Sequence, residues 1–251
     1  NRGIAVIKVE NGKNASFTLQ PRIQTVFPQV GSMMGGSILT ITGDGFSPVP
    51  EVQVGGVPCQ ILTSSYTQLK CQTAAGKASQ VLPVVVKVNG MESNCGSSCT
   101  FTYSDAKTAR IDSVIPSVIV GDENTIRIYG SGLPSGASDL EIKIGKTPCI
   151  VTSSSQFAAS CRVGPVVAGK HVLKIRHGTQ GFAMFEAGAP NLIDSLAVVS
   201  SITPTEGSIM GGTELSIKGS GFDPTAGRTI VKIGTNYCSV ELVTSSEVVC
   251  R

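Results

Sequence analysis

VFPQVGSMMGGSILTITGDGF, residues 26–46, and ITPTEGSIMGGTELSIKGSGF, residues 202–222, carry one frame. A proline is followed by a Gly-Gly pair, an alternating apolar run and a G-x-G-F turn. A third copy, VIPSVIVGDENTIRIYGSGL at 114–133, has Asp122-Glu123 where the other two carry the Gly-Gly pair, and Leu133 where they carry Phe. Pro28, Pro116 and Pro204 stand 88 residues apart. Self-similarity at a fixed long period marks a repeat architecture, in which each period is one structural unit.

A second block returns in the same order. VQVGGVPCQI (52–61) matches IKIGKTPCIV (142–151) and VKIGTNYCSV (231–240), and a second cysteine follows twelve residues after the first in each copy. Within the frame the apolar period is two, as in Leu39/Ile41, Ile126/Ile128 and Leu215/Ile217, and again in Val52/Val54, Ile142/Ile144 and Val231/Ile233. That period belongs to half-buried strands. VLPVVVKVNG (81–90) and HVLKIRHG (171–178) end in turn dipeptides, Asn89-Gly90 and His177-Gly178, after which TFTYS (100–104) and FAMFE (182–186) return as closing strands. Many short strands at this spacing predict an all-β chain of small two-sheet sandwiches, since one sheet alone leaves an apolar face wet.

IAVIKVENGKNASFTLQ (4–20) is similar to the late hairpins of the other copies. Residues 1–20 are therefore expected to be the terminal hairpin of a preceding repeat. Residues 21–109 and 110–192 are expected to be complete domains, and 193–251 a partial third, the chain being cut from a longer array. The alternative is that 1–20 closes the third unit, circularly or in trans. The apolar run Leu192, Ile193, Leu196, Val198 and Val199 fits either a junction or the third unit's first strand.

Composition narrows the function. Net charge is only +3 and Lys and Arg are dispersed, so no nucleic-acid partner is expected. No run of eighteen apolar residues exists, so no membrane span is expected in this segment. Structural zinc wants close cysteine pairs combined into a four-ligand cluster, and only Cys95 and Cys99 are that close. One bridge per repeat accounts for Cys59 with Cys71, Cys149 with Cys161, and Cys238 with Cys250, leaving Cys95 with Cys99 as a fourth, local bridge. Eight paired cysteines imply an oxidising compartment: extracellular, or on a cell surface in the secretory route. The sequon Asn14-Ala15-Ser16, placed on the turn of the first hairpin, makes Asn14 the candidate glycosylation site.

Pro28, Gly35-Gly36, Gly43, Gly45-Phe46, Gly55 and Cys59, recurring as Pro204, Gly211-Gly212, Gly219, Gly221-Phe222, Gly234 and Cys238, resemble the IPT/TIG family of immunoglobulin-like domains. The middle copy keeps Pro116, Gly130, Gly132, Gly145 and Cys149. The cysteine-paired tandem array looks most like fibrocystin-like extracellular surface proteins. Plexin-like receptors, Rel-like transcription factors and some polysaccharide-processing enzymes use the same domain. The resemblance implies tandem immunoglobulin-like β-sandwiches and does not by itself transfer a function.

No catalytic motif is present: there is no G-x-S-x-G, H-E-x-x-H or P-loop. GDGF, GSGL and GSGF lead into further strands, whereas a phosphate loop needs a following helix. His171 and His177 lack a neighbouring carboxylate in sequence, and Asp105, Asp112 and Asp194 at the junctions lack a calcium-loop pattern. No enzyme activity, cofactor or metal is expected.

The leading expectation is a structural or adhesion segment of a larger surface or secreted protein. Its partners would be other proteins or further copies of the same array. Two alternatives stand. One is an accessory carbohydrate-binding segment of a secreted enzyme, using Tyr66, Tyr103, Tyr129 and Tyr237 in a chain without Trp. The other is a receptor's ligand-binding ectodomain.

Overall fold

The computed structural model describes residues 4–8, 14–18, 20–93, 95, 99–121 and 124–251. The described residues form strands, connecting loops and two single 3₁₀ turns, at Asp105–Lys107 and Ala137–Asp139. They divide into two units. One comprises Asn1–Ala109 with Arg176–Met184, and the other Arg110–Ile175 with Phe185–Arg251.

In the first unit, Arg22–Phe27, Ile38–Asp44, Gln68–Gln72 and Gln60–Ser64 make one antiparallel sheet in that order. The second sheet runs Val30–Ser32, Thr100–Ser104, Val81–Val88, Glu51–Val54 and Val57–Pro58, its first pair parallel. Alternation sends Leu39 and Ile41 inward from one sheet, and Val52, Val54, Val84, Val86, Phe101 and Tyr103 inward from the other. Together they form one core between the sheets. The two-sheet immunoglobulin-like sandwich read from the sequence is the fold observed. Asn89 and Gly90 both take positive φ, as the expected tight hairpin turn requires. Ile4–Lys8 and Asn14–Thr18 pair antiparallel as a hairpin of their own.

The first strand departs from period two. Ile23 and Val26 are both buried although three residues apart, because the register slips between Ile23 and Thr25. The same bulge occurs between Ile111 and Ser113 and between Val199 and Ser201. A bulge adds one residue to one strand and so moves the next side chains to the other face. Each copy also has a cis peptide bond at its frame proline, Phe27–Pro28, Ile115–Pro116 and Thr203–Pro204.

In the second unit, one strand path runs Val118–Val120, Leu192–Leu196, Gly169–His177, Leu140–Ile144, Thr147–Ser154, Ala158–Val163, Asn124–Ser131 and Arg110–Ile115. Leu192–Leu196 pairs antiparallel with the start of Gly169–His177 and parallel with Val118–Val120. Thr100–Ser104 makes the corresponding two pairings in the first unit. The strand closing the middle repeat is therefore Leu192–Leu196 and not FAMFE, and a boundary at 192/193 falls inside it. The end of FAMFE instead lies beside the first strand of the middle repeat, where the Glu186 amide donates to the Ile111 carbonyl at 2.9 Å. The third repeat contributes a sheet of Val198–Thr203, Leu215–Ser220, Glu247–Cys250 and Val240–Val243, with the separate pair Val231–Ile233 and Asn236–Cys238.

Candidate functional site

The G-x-G turns are structural, and their two glycines do different work. A Cβ on Gly43 would run into the Arg22 carbonyl oxygen, on Gly130 into that of Arg110, and on Gly219 into that of Val198. Each of these carbonyls lies at the bulge of the opposite strand, so the first glycine is needed for close backbone approach. The second glycine, at 45, 132 or 221, has φ of 74°, 70° or 78°, the left-handed region where a side chain is strained. Gly43 and Gly219 also sit under the rings of the buried Phe46 and Phe222, with Cζ 2.7 Å from the Cβ position in both. Beyond Phe46 the S-P-V-P tip leaves Val49 exposed, while the Ser64 hydroxyl donates to the Ser47 carbonyl at 2.6 Å.

The structure joins Cys59 to Cys71, Cys149 to Cys161 and Cys238 to Cys250, with Cα atoms 5.6, 5.5 and 5.6 Å apart and a separation of twelve residues each. Cys95 is joined to Cys99 with Cα atoms 6.1 Å apart. Cys71, Cys161 and Cys250 lie on inner strands and are fully buried. Cys59 stands where the chain leaves the strand Val57–Pro58 of one sheet and enters Gln60–Ser64 of the other. Its amide donates to the Val52 carbonyl at 2.8 Å. The bridge therefore fastens the crossing point to the opposite sheet's inner strand.

The remaining candidates do not converge. Asn14 opens the second strand of the first hairpin, paired with Lys8, rather than sitting on the turn; its side chain lies outside what is described. His171 Nε2 is 2.6 Å from the Val167 carbonyl. Asp105 opens a 3₁₀ turn, Asp112 lies on an exposed strand position, and the Asp194 amide donates to the Ser117 carbonyl at 2.8 Å. Among the described residues no group of three or more His, Cys, Asp or Glu is placed to hold a metal ion. Tyr103 is a core residue: its ring meets Phe101 edge-on at 5.1 Å and its hydroxyl donates to the Ala74 carbonyl at 2.8 Å. Burial pushes its phenol above the usual value, against a smaller opposite effect from Thr73. Tyr66, Tyr129 and Tyr237 are exposed, and Lys232 Nζ lies 4.6 Å from the Tyr237 ring centre.

The first unit contains a polar junction with no marker in sequence. The turn at 177–182 lies against the loop at 31–38. The Ser32 amide donates to Gln180 O at 2.7 Å, the Ile38 amide to Thr179 O at 3.1 Å, and the Phe182 amide to Gly35 O at 2.8 Å. The Ser32 hydroxyl donates to Phe182 O at 2.6 Å and the Ser37 hydroxyl to Gln180 O. Ser32 and Ser37 are fully buried. A Cβ on Gly36 would strike the Phe182 ring, and one on Gly181 the Gly35 carbonyl. The Gly-Gly pair thus makes room for a hairpin some 140 residues further along the chain. Nothing local in either segment announces its partner.

The IPT/TIG domain family matches residues 21–103, 109–188 and 197–251. Human Fibrocystin-L is 34% identical over 254 residues, covering 100% of this chain and 6% of that protein. Mouse Fibrocystin is 29% identical over 244 residues, covering 93% of this chain and 6% of that protein. The chain thus spans about 6% of the length of each of these two relatives. Among solved structures, the Plexin A4 full extracellular region aligns with a TM-score of 0.46 at 15% identity, covering 95% of this chain and 21% of that one. The chain belongs to the IPT/TIG domain family.

Proposed function

We propose that this stretch of tandem IPT/TIG repeats is a non-enzymatic extracellular structural and adhesion segment. It spaces and displays protein-interaction faces within a larger cell-surface or secreted protein. The observation that carries the reading is the arrangement of the cysteines. Each of the three repeats has its own twelve-residue bridge, and no free cysteine is left among the described residues. Bridges of this kind persist in oxidising environments. The His171 side chain supports the same reading, because its Nε2 lies 2.6 Å from the Val167 carbonyl and so meets backbone rather than a carboxylate. Among the described residues no helix is long and apolar enough to cross a membrane. The partners are other proteins or further copies of such an array, met through sheet faces and loops.

The test is bead aggregation. Beads coated with the oxidised 251-residue chain are mixed with bare beads and with beads carrying an unrelated disulfide-bonded sandwich. The reading expects clustering that needs the coat and rises with coat density. Dispersed beads at every density, together with a monomer at every concentration in sedimentation velocity, would overturn the self-assembly form. Retention of no surface or matrix protein by the same coat would then overturn the adhesive role.

A further inference from the structure

The loop at 207–213 of the third repeat has the sequence of the loop that holds a hairpin in the first. GSMMGGS (31–37) and GSIMGGT (207–213) differ only by Met33/Ile209 and Ser37/Thr213. Their surroundings are opposite. In the first loop Gly31, Ser32, Gly35, Gly36 and Ser37 are all buried beneath the turn at 177–182. In the second, no atom lies within 4 Å of where a Cβ would sit on Gly212, the counterpart of the Gly36 position that the Phe182 ring covers in the first.

The two loops nonetheless share a backbone shape. Gly35 and Gly36 have φ of 71° and 76°, and Gly211 and Gly212 have 79° and 77°. The amide of Gly35 donates to Ser32 O at 3.1 Å, and that of Gly211 to Ser208 O at 3.0 Å. The amide of Met34 donates to the Ser32 hydroxyl at 3.0 Å, and that of Met210 to the Ser208 hydroxyl at 3.1 Å. The third-repeat loop therefore keeps the receiving conformation while its glycines face open space. Two adjacent glycines in the left-handed region expose backbone and carry a conformational cost. In the first loop that cost is offset by contacts of Gly36 with the hairpin and of Gly35 with Ala74 of the same repeat.

We propose that the loop at 207–213 is a docking site for a β-hairpin turn of another IPT/TIG repeat, of the kind His177-Gly178-Thr179-Gln180-Gly181-Phe182. The Glu214 amide donates to one turn carbonyl, as that of Ile38 does to Thr179, and the Ser208 amide, which donates to the Thr213 hydroxyl at 3.0 Å within the loop, turns to the next, as that of Ser32 does to Gln180. The carbonyl of Gly211 accepts from the amide of the turn's phenylalanine, whose ring covers Gly212. The middle repeat carries Asp122-Glu123 in place of the glycine pair. The site deepens the reading above by naming the partner of one displayed loop. Failure of the hairpin to bind leaves bead clustering through other faces intact, so the two results are separable.

The probe is a cyclised, fluorescently labelled peptide of residues 174–184, titrated into the oxidised full chain. Saturable binding is expected, with amide shifts in nuclear magnetic resonance spectra concentrated at Ser208, Gly211, Gly212 and Glu214. Removing the ring from the probe, Phe182→Ala, should weaken binding about tenfold, as truncation of a central aromatic anchor does. Gly212→Val in the chain should abolish it. The probe variant stands even where the chain variant disturbs the loop. Absence of binding to the unaltered chain, equal binding of the two probes, or shifts concentrated on the sheet around Val199 and Phe222 would each overturn the proposal.

Discussion

Gly43→Ala and Gly45→Ala should destabilise the first repeat by different mechanisms, and a third substitution separates them. Gly43 is at an ordinary φ, but its added methyl would meet the Arg22 carbonyl and the Phe46 ring at once. Phe46 is 1% exposed and cannot swing away without opening the core. The bulge end of the Arg22–Asp44 pairing must therefore move, and with it the bond from the Gly43 amide to Thr67 O at 3.0 Å. Overpacking of a filled site costs about 1–3 kcal/mol, and one weakened hydrogen bond adds about 1 kcal/mol. Gly43→Ala should then cost roughly 2–4 kcal/mol. Gly45 is at φ 74°, but its Cβ position is 3.4 Å from Pro21 Cα, an ordinary contact. Only the left-handed backbone penalises Gly45→Ala, by about 1–2 kcal/mol. Asn tolerates that backbone, so Gly45→Asn should recover part of the loss while Gly43→Asn should be worse than Gly43→Ala. The assay is native-state hydrogen exchange read by mass spectrometry. Peptides covering Ile38–Asp44 report the change, and those covering Asn124–Ser131 serve as an internal reference. Near-native protection in Gly43→Ala, or a larger loss in Gly45→Asn than in Gly43→Ala, would refute the assignment of steric and dihedral roles.

Replacing Cys59 and Cys71 together by Ala should cost about 3 kcal/mol in chemical denaturation, from the loop-closure entropy of a twelve-residue separation. The Cys95/Cys99 pair, separated by four residues, should cost about 1 kcal/mol less by the same relation; equal losses would count against it. Tyr103→Phe should lose about 1 kcal/mol through the bond to Ala74 O. Because burial raises the folded phenol above its unfolded value, the associated stability is complete below about pH 10 and lost as pH rises through the folded value. The substitution should therefore flatten the alkaline arm of a stability–pH curve measured by denaturant midpoint. Chain secreted from a glycosylating host should lose mass on endoglycosidase treatment, and Asn14→Gln should remove that loss; no mass change would withdraw Asn14 as a glycan site.

Much of the fold was legible because alternation and burial are locally coupled. Leu39/Ile41 and Val52/Val54 alternate in sequence and enter the core for that reason. The cysteine spacing was legible because each pair brackets one strand crossing and returns unchanged in every copy. Strict alternation missed the bulges, because Gln24, Asp112 and Ser200 are residues that any exposed strand could hold. The signal was present in the opposite strand, where Gly43, Gly130 and Gly219 recur at the same frame position. FAMFE imitates a closing strand for a related reason. Its apolar pattern resembles TFTYS, while LIDSL is separated from the next strand by Ala197 alone and so blurs into it. The Gly-Gly loop's partner was invisible because it is chosen by tertiary placement.

The cysteine bridges also set how far such a chain can lengthen under load. Force carried from one end of the chain to the other passes across each bridge instead of through the residues it encloses. A freed twelve-residue stretch would extend to about 40 Å, whereas the bridge holds the Cα atoms of Cys59 and Cys71 at 5.6 Å. Each repeat that opens while oxidised thus withholds about 35 Å of slack. Reduction would release that length at the same recurring position in all three repeats, and a force–extension trace taken with and without reductant would read it as a longer step.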